Sequence, residues 1–384
     1  MRWNNNPFSF HAVIGGAGKT CAAHLLRSVL ERGQGRRCGV ITTRHTYLGD
    51  RVLPPPAWPD WRRQLDSQLL EMRCADCQDV ILTLPPFVPG SPALEGLDFE
   101  TVILTGGTPE DSVPLVRFLR EQRGCLICNL DDPDLRALVE EWDRPVLTYA
   151  ERRGEADLNA RNLCLRADRI EFDALTDEAI CRMRLPVPGG FSLYNALAAL
   201  AFGLSRGLRL DRMAGVLSDA EGVRGRMELL SVPAPFDVII DSAATPEQID
   251  NLLMTARGMS RGRLILVLGA PGDRDRSRRP QLGEAASRAD LVILTEDDPR
   301  TESADEICRQ IRAGMDECRS ELVTDRRAAI DRALDLARPG DLVLLSGRGD
   351  KTRMLVREGS VFLDERAVVC DYFRRRRDRE RKDA

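Results

Sequence analysis

Residues 11–21 read HAVIGGAGKTC, a short apolar run followed by Gly15, Gly16, Ala17, Gly18, Lys19 and Thr20. Glycines at this spacing let backbone N–H groups turn toward phosphate oxygens. A helix beginning at the loop adds the positive end of its dipole. Lys19 would reach the outer phosphates and the Thr20 hydroxyl would hold Mg²⁺. Val13 stands where the G-x-x-x-x-G-K-S/T pattern has its first glycine, so a Gly-rich turn that merely contains Lys-Thr is the competing reading. Further along, reactive side chains gather in short polar turns: Asp241-Ser242, GAPGD from Gly269 to Asp273, and EDDPR from Glu296 to Arg300. The histidines are His11, His24 and His45, so chemistry in the later part of the chain must run on carboxylates, Arg and Lys.

The cysteines point elsewhere. Cys74/Cys77 and Cys125/Cys128 have the spacing of metal knuckles, but the interval between the pairs far exceeds that of a zinc ribbon. The second pair lies in the apolar run CLICNL, where a buried strand explains it. Eleven cysteines scattered through 384 residues fit free thiols in a reducing compartment. A formal net charge of −4 argues against a general nucleic-acid binder, and the basic run from Arg374 to Lys382 reads as a solvated tail. No apolar stretch is long enough for a transmembrane helix and no secretory pattern opens the chain, so a cytoplasmic protein is expected.

Polar turns of this kind must be held by strands. Apolar runs alternate with helical patterns: Ala12–Ile14, Cys21–Glu31, Cys38–Thr42, Trp61–Arg73, Val80–Leu84, Thr101–Leu104, Val113–Gln122 and Leu126–Leu130. Such alternation predicts a parallel α/β sheet covered on both faces. Residues 151–188 read as a small β excursion, and Phe191 to Gly203 as an Ala-rich helix buried against the core. GVRGRM (Gly222–Met227) reads as a hinge. A second α/β pattern follows, with strands at Val238–Asp241, Leu264–Leu268, Leu291–Leu294 and Leu342–Leu345. Ligands of open parallel sheets bind beyond the carboxyl ends of the strands, which makes the polar turns the candidate site.

Taken in order, these segments resemble the Mur ligase family, most closely its members that add the third amino acid to the peptidoglycan precursor. GGAGKT resembles the family's GTNGKT, with Ala17 in place of its Asn; the family itself uses this shorter loop. GVITTRHTYLGDRVLPP (Gly39–Pro55), EGLDFETVILT (Glu95–Thr105), CNLDDPD (Cys128–Asp134) and FSLYNALAALA (Phe191–Ala201) are similar to family segments in the same order. So are GVRGRMELL, VIIDSAATPEQIDNLL (Val238–Leu253), GAPGDRDRSRRPQLGEAA (Gly269–Ala286), TEDDPRTES (Thr295–Ser303) and PGDLVLLSGRGDKT (Pro339–Thr352). The resemblance implies a P-loop ATPase domain with a parallel sheet (1–222), a Rossmann-like C-terminal domain (223–373), a basic tail (374–384) and an active site between the two domains. It implies ATP and Mg²⁺ as cofactors, with Asn195 facing the nucleotide, Arg226 helping to bind ATP and Asp241 near the ribose. Asp297, Asp298, Arg300 and Asp350 would meet the incoming amino acid. The loop lies at the start of this sequence, so the family's preceding uridine-nucleotide domain is expected to be absent.

The chemistry so implied joins a carboxylate acceptor to an amino acid at the expense of ATP. Several family groups are replaced. Counting back from Gly96 puts Thr83 where the family has a metal-binding Glu, and Phe87 where it has a His. Leu104–Gly124 is too short for the family's D-H-x-D-x-H-G segment and contains no Lys; its carboxylates are Glu110, Asp111 and Glu121. Asp298 replaces an Asn and would favour a cationic amino acid. Lys351 replaces a Glu and would repel one. Ala244 replaces a His. Three readings therefore stand side by side: a divergent Mur-type amide ligase, a nucleotide-binding homologue acting as regulatory or scaffolding partner of another cell-wall enzyme, and a simple ATPase or phosphotransferase.

Overall fold

The computed structural model describes residues 8–16, 18–57, 60–85, 91, 94–106, 113–166, 168–316 and 319–383. The chain divides into two compact units, one of residues 1–164, 169–186 and 190–221, the other of residues 165–168, 187–189 and 222–384.

The first unit is organised by an 11-stranded sheet. Its strands are β1 (Ser9–Ile14), β2 (Cys38–Ile41), β3 (Thr46–Leu48), β4 (Arg51–Leu53), β5 (Asp79–Leu84), β6 (Phe99–Leu104), β7 (Cys125–Asn129), β8 (Val146–Ala150), β9 (Leu158–Leu165), β10 (Ile170–Leu175) and β11 (Ile180–Leu185). They lie in the order β11-β10-β9-β8-β7-β6-β1-β5-β2-β3-β4. The centre is parallel: β1 pairs with β5 and β6 in register through Ile14, Leu84 and Leu104, so all three strands end at one edge. Every residue of β5 is buried, as a strand covered on both faces requires. The expected β excursion of residues 151–188 is present and extends this same sheet as β9–β11. At the other edge, the segment after β2 turns back as the short antiparallel strands β3 and β4.

The helices of this unit are α1 (Lys19–Ser28), α2 (Trp61–Cys74), α3 (Val113–Glu121), α4 (Pro133–Glu140), α5 (Phe191–Ser205) and α6 (Leu210–Ser218). α5 is apolar on nearly every side, and such a helix must be internal. Leu193 and the whole run Ala196–Phe202 have no solvent-accessible surface. Each of its buried Leu and Phe side chains contributes roughly 1.5–3 kcal/mol. That burial holds Asn195 in place on the same helix. α2 covers the opposite face through Leu65, Leu69 and Met72.

The second unit has a six-stranded sheet of β12 (Glu228–Leu230), β13 (Asp237–Ile240), β14 (Leu264–Leu268), β15 (Leu291–Leu294), β16 (Ser320–Leu322) and β17 (Leu342–Leu345). The order is β12-β13-β17-β14-β15-β16, parallel except for β12. Around it lie α7 (Pro246–Met259), α8 (Arg278–Ala286), α9 (Ala304–Arg312) and α10 (Arg326–Leu336), then the hairpin β18 (Arg353–Val356) and β19 (Gly359–Phe362), and α11 (Glu365–Asp383). The chain skips one place between β13 and β14, and β17 later fills it. The loops after β13, β14, β15 and β17 therefore cluster at the carboxyl edge around a topological switch point. The basic run expected as a solvated tail is exposed over residues 374–379 and forms the end of α11. Val368, Val369 and Phe373 of that helix pack in the core, and Arg375 pairs with Asp331 at 2.8 Å. Among the described residues no helix is long and apolar enough to cross a membrane.

Candidate functional site

β1 ends at Ile14, and its neighbour β6 sets the path of the loop. Thr105 N–H donates to Ile14 O at 3.0 Å, and Gly16 N–H donates to Gly106 O at 2.9 Å. A Cβ on Gly15 would stand 2.1 Å from Thr105 Oγ1, so the backbone can take this course only without a side chain. Gly18 has φ 81°, in the left-handed region, and opens α1. Lys19 folds back over the loop, its Nζ donating to the carbonyls of Gly15 and Gly16. Thr20 lies in the first turn of α1. Ala17 lies outside the described residues.

Asn195 reaches this loop from α5. A Cβ on Gly18 would meet Asn195 Oδ1 at 2.6 Å. The Asn195 side chain is 4% exposed, and its Nδ2 has no hydrogen-bond partner. A buried amide donor left unmatched costs roughly 1–3 kcal/mol, and a phosphate or ribose oxygen at the loop would satisfy it. Gly15, Gly16, Gly18, Lys19, Thr20 and Asn195 therefore form one constellation, with the donors an anion requires.

The groups for a divalent cation are fewer. The Thr20 hydroxyl can serve an ion carried by phosphates, which needs little else from protein. At position 83, on β5 beside Val13 of β1, stands a buried hydroxyl whose Oγ1 has no partner. A neutral hydroxyl does not fit the anionic seat of a second ion. No group of three His, Cys, Asp or Glu able to hold a metal occurs among the described residues. Glu110 and Asp111 lie outside the described residues, as does Phe87. Glu121 is an exposed residue in the last turn of α3, 3.5 Å from Arg117, and that turn precedes the start of β7 rather than facing the loop.

The knuckle spacings also resolve. Cys125 and Cys128 are three apart on β7, so their side chains point to opposite faces of the sheet. Burial raises the thiol pKa of both. Cys74 ends α2 and is exposed, whereas Cys77 is buried with its pKa raised to about 11 by desolvation. His11 is also structural. It is fully buried, with Nε2 3.0 Å from Asp79 Oδ1, while Arg36 Nε donates to Asp79 Oδ2 at 2.6 Å.

In the second unit the polar turns gather as the sheet order requires. Asp241 follows β13; its oxygens accept from Met227 N–H and Ala243 N–H, both at 2.7 Å. This brings the Arg226–Met227 segment to the carboxyl edge. The Arg226 side chain is half-buried and has no partner among the described residues. Gly225, with φ 68°, packs so closely that a Cβ would lie 2.2 Å from Asp350 N. Asp297 and Asp298 follow β15 and are 1% and 6% exposed. Both accept from the fully buried Arg348, Asp297 at 2.8 Å and Asp298 at 3.2 Å, and Lys351 Nζ donates to Asp298 Oδ2 at 2.8 Å. Burial would raise the Asp298 pKa, but Lys351, the Leu355 N–H and Arg348 outweigh it and hold the carboxyl below its usual range. Asp298 is thus paired twice within the protein.

Sequence reasoning missed what supports these loops. Beneath them Arg326 and Glu365 are both fully buried and paired at 2.8 Å, and Arg326 Nη2 donates to Ser346 O at 2.6 Å. Burial raises the Glu365 pKa against the opposing pull of Arg326. Glu302 accepts from Arg279 at 2.9 and 3.0 Å and from Asp273 N–H at 2.6 Å, and these bonds lower its pKa to about 2. Nothing local distinguishes these charges from solvated ones, because each is defined by a partner far away in the chain.

Comparison with known proteins places these features. The Mur ligase middle domain matches residues 113–203, and the domain described as "Mur ligase, glutamate ligase domain" matches residues 225–349. A UDP-N-acetylmuramoyl-L-alanyl-D-glutamate–2,6-diaminopimelate ligase of Caldanaerobacter subterraneus subsp. tengcongensis is 30% identical over 95% of this chain and 78% of its own. The enzyme of the same name from Syntrophomonas wolfei is 29% identical over 94% and 78%. A solved structure of a ligase with that name covers 97% of this chain and 79% of its own at TM-score 0.69 and 24% identity. The MurF ligase of Thermotoga maritima, solved in complex with ADP, covers 99% and 82% at TM-score 0.68 and 16% identity. With the loop, the two sheets and these relatives in agreement, the chain belongs to the Mur ligase family.

Proposed function

We propose that this chain is an ATP-dependent amide ligase of the Mur type, joining an amino acid to a carboxylate acceptor in the synthesis of a peptidoglycan precursor or a related peptide. The observation that carries the reading is the constellation at Gly15–Thr20, where the unpartnered amide of Asn195 is held against Gly18 over a loop covered by Lys19. In this reading residues 1–222 bind ATP, and residues 223–373 bind the amino acid. The Thr20 hydroxyl would hold Mg²⁺, which supplies charge neutralisation on the phosphates.

Lys19 and the loop N–H groups neutralise and orient the triphosphate so that the acceptor carboxylate can attack the γ-phosphorus. That step forms an O–P bond and releases ADP. The amine then adds to the acyl phosphate carbon, loses a proton, and expels inorganic phosphate as the amide bond forms. Arg300 is suited to clamp the carboxylate of the incoming amino acid bidentately.

ADP release measured with UDP-N-acetylmuramoyl-L-alanyl-D-glutamate as acceptor and a panel of amino acids tests the reading. Amino-acid-dependent release that falls at least 100-fold in Lys19→Ala supports it. The neutral Thr83, at the seat of a metal-binding carboxylate in the family, favours a second reading, a nucleotide-binding partner of another cell-wall ligase. Tight ADP binding with no turnover on any acceptor would select that one, and failure to bind adenine nucleotides would sink both.

A further inference from the structure

The phosphate loop occupies the carboxyl edge of the first sheet, and the amino edge of the same sheet carries a cavity. It has a volume of about 460 Å³ and lies where β7, β8 and β9 begin, against the end of α3. Pockets of roughly 300–1,000 Å³ are of the size that encloses a small organic ligand. The inner wall is apolar: Val102, Leu119 and Leu126 belong to the core of the first unit, and Val146 packs against it. The length of a five-residue strand such as β7, roughly 15 Å, separates this wall from the edge at which the phosphate loop lies.

The rim of the cavity is cationic. Arg144 Nη1 donates to Gln122 O at 2.8 Å and Nη2 to Leu119 O at 3.2 Å, so its guanidinium closes the carbonyl end of α3. Its Cζ lies 5.0 Å from the centre of the Trp142 ring, and Arg120 Cζ lies 5.7 Å from it, a cation–π arrangement that holds both groups. Carbonyls and an indole orient these charges without cancelling them. Arg123 stands exposed on the rim, and neither it nor Arg144 meets a carboxylate among the described residues. The other polar side chains of the wall are engaged. Asp157 Oδ2 accepts from Thr148 N–H at 2.7 Å and from Thr148 Oγ1 at 2.6 Å. The Gln122 amide accepts from Phe99 N–H at 3.1 Å and donates to Phe118 O at 3.3 Å. The uncommitted charge at the cavity is therefore positive.

We propose that this cavity is a second ligand site, for a small amphipathic monoanion: a carboxylate or sulfonate carried on an aromatic or branched apolar body. The acid group meets Arg123 and Arg144, and the body lies along Val102, Leu119, Leu126 and Val146. Charge complementarity selects the anion. The apolar wall excludes a bare inorganic anion as the fitting occupant, because such an ion leaves that wall in water. A cation meets two guanidiniums and finds Asp157 already bonded. The inference goes beyond the ligase reading and does not depend on it.

The test compares 2-naphthoate with 2-naphthalenemethanol, which has the same rings and an alcohol in place of the carboxylate. Both are titrated calorimetrically into the full chain. The wild type should bind one naphthoate per chain, at least tenfold more tightly than the alcohol. Arg123→Gln alters an exposed side chain, so the fold should survive; it should weaken naphthoate at least tenfold and leave the alcohol within threefold. Val146→Trp, which narrows the cavity, should weaken both ligands, with thermal denaturation confirming that the variant is folded. Lys19→Ala should leave naphthoate affinity within threefold, because the phosphate loop lies at the opposite edge. No heat of binding with naphthoate at millimolar concentration, equal affinity for the alcohol, or an unchanged affinity in Arg123→Gln overturns the proposal. So does a loss in Lys19→Ala, which would place the carboxylate at the phosphate loop. None of these results depends on turnover, so failure of the ligase reading is scored separately by ADP release.

Discussion

Replacing Gly18 by Ala isolates the contact on which nucleotide binding is argued to depend. Gly18 has φ 81°, and an alanine there incurs a left-handed backbone penalty of roughly 1–2 kcal/mol. Its Cβ would also stand 2.6 Å from Asn195 Oδ1, so either the Asn195 amide or the loop must shift. Gly35 provides a matched control. Its φ is 70°, and nothing lies within 4 Å of where its Cβ would be. Both variants should lose similar stability, and at about 2–4 °C per kcal/mol their melting temperatures should fall by roughly 2–8 °C. Only Gly18→Ala should weaken ADP binding, by roughly 10–100-fold, or ~1.4–2.8 kcal/mol. Thermal denaturation and calorimetric titration with ADP measure the two effects. Unchanged ADP affinity in Gly18→Ala, or an equal loss in Gly35→Ala, would refute the placement of Asn195 over the phosphate seat.

Two further predictions concern stability. Glu365→Ala strands the buried Arg326 guanidinium and should cost ~3–5 kcal/mol in urea denaturation, whereas Arg326→Met combined with Glu365→Leu should cost far less; equal losses would show that the pair's charge is not what matters. Burial, with smaller contributions from Arg27 and His45, lowers the His24 pKa from 6.5 to about 4. The unfolded chain then takes up the proton first as pH falls, so this contribution is complete above pH 7 and lost between about 6.5 and 4, up to roughly 3 kcal/mol. His24→Phe should flatten that limb of the stability–pH curve, and an unaltered limb would assign it to other groups.

The two sites differ in how far they could be read in one dimension. The phosphate loop was legible because its conformation is set locally. Glycines permit the turn, Lys19 and Thr20 lie within one helical turn of it, and the apolar run before it can only be a buried strand. The start of α7 is set in the same local way, by the cap and breaker Thr245-Pro246 beside an apolar stripe. Strands of three residues such as β3, β4 and β16 escaped detection because three residues show no periodicity. The helical state of the exposed basic run at the end of α11 is not legible locally, because its charge masks a helix anchored by the apolar residues before it.

What the sequence alone determined about this protein is its family and its α/β class, because ordered local motifs survive without knowledge of contacts. Tertiary structure decided how its polar residues are used. It placed Asn195 over Gly18 and put β17 between β13 and β14, and it closed Lys351 onto Asp298 across 53 positions of the chain. In sequence, Asp298 and Lys351 read as opposing influences on a substrate's charge. In the fold they are one ion pair, because the electrostatics of a loop depend on which groups are a few ångströms apart.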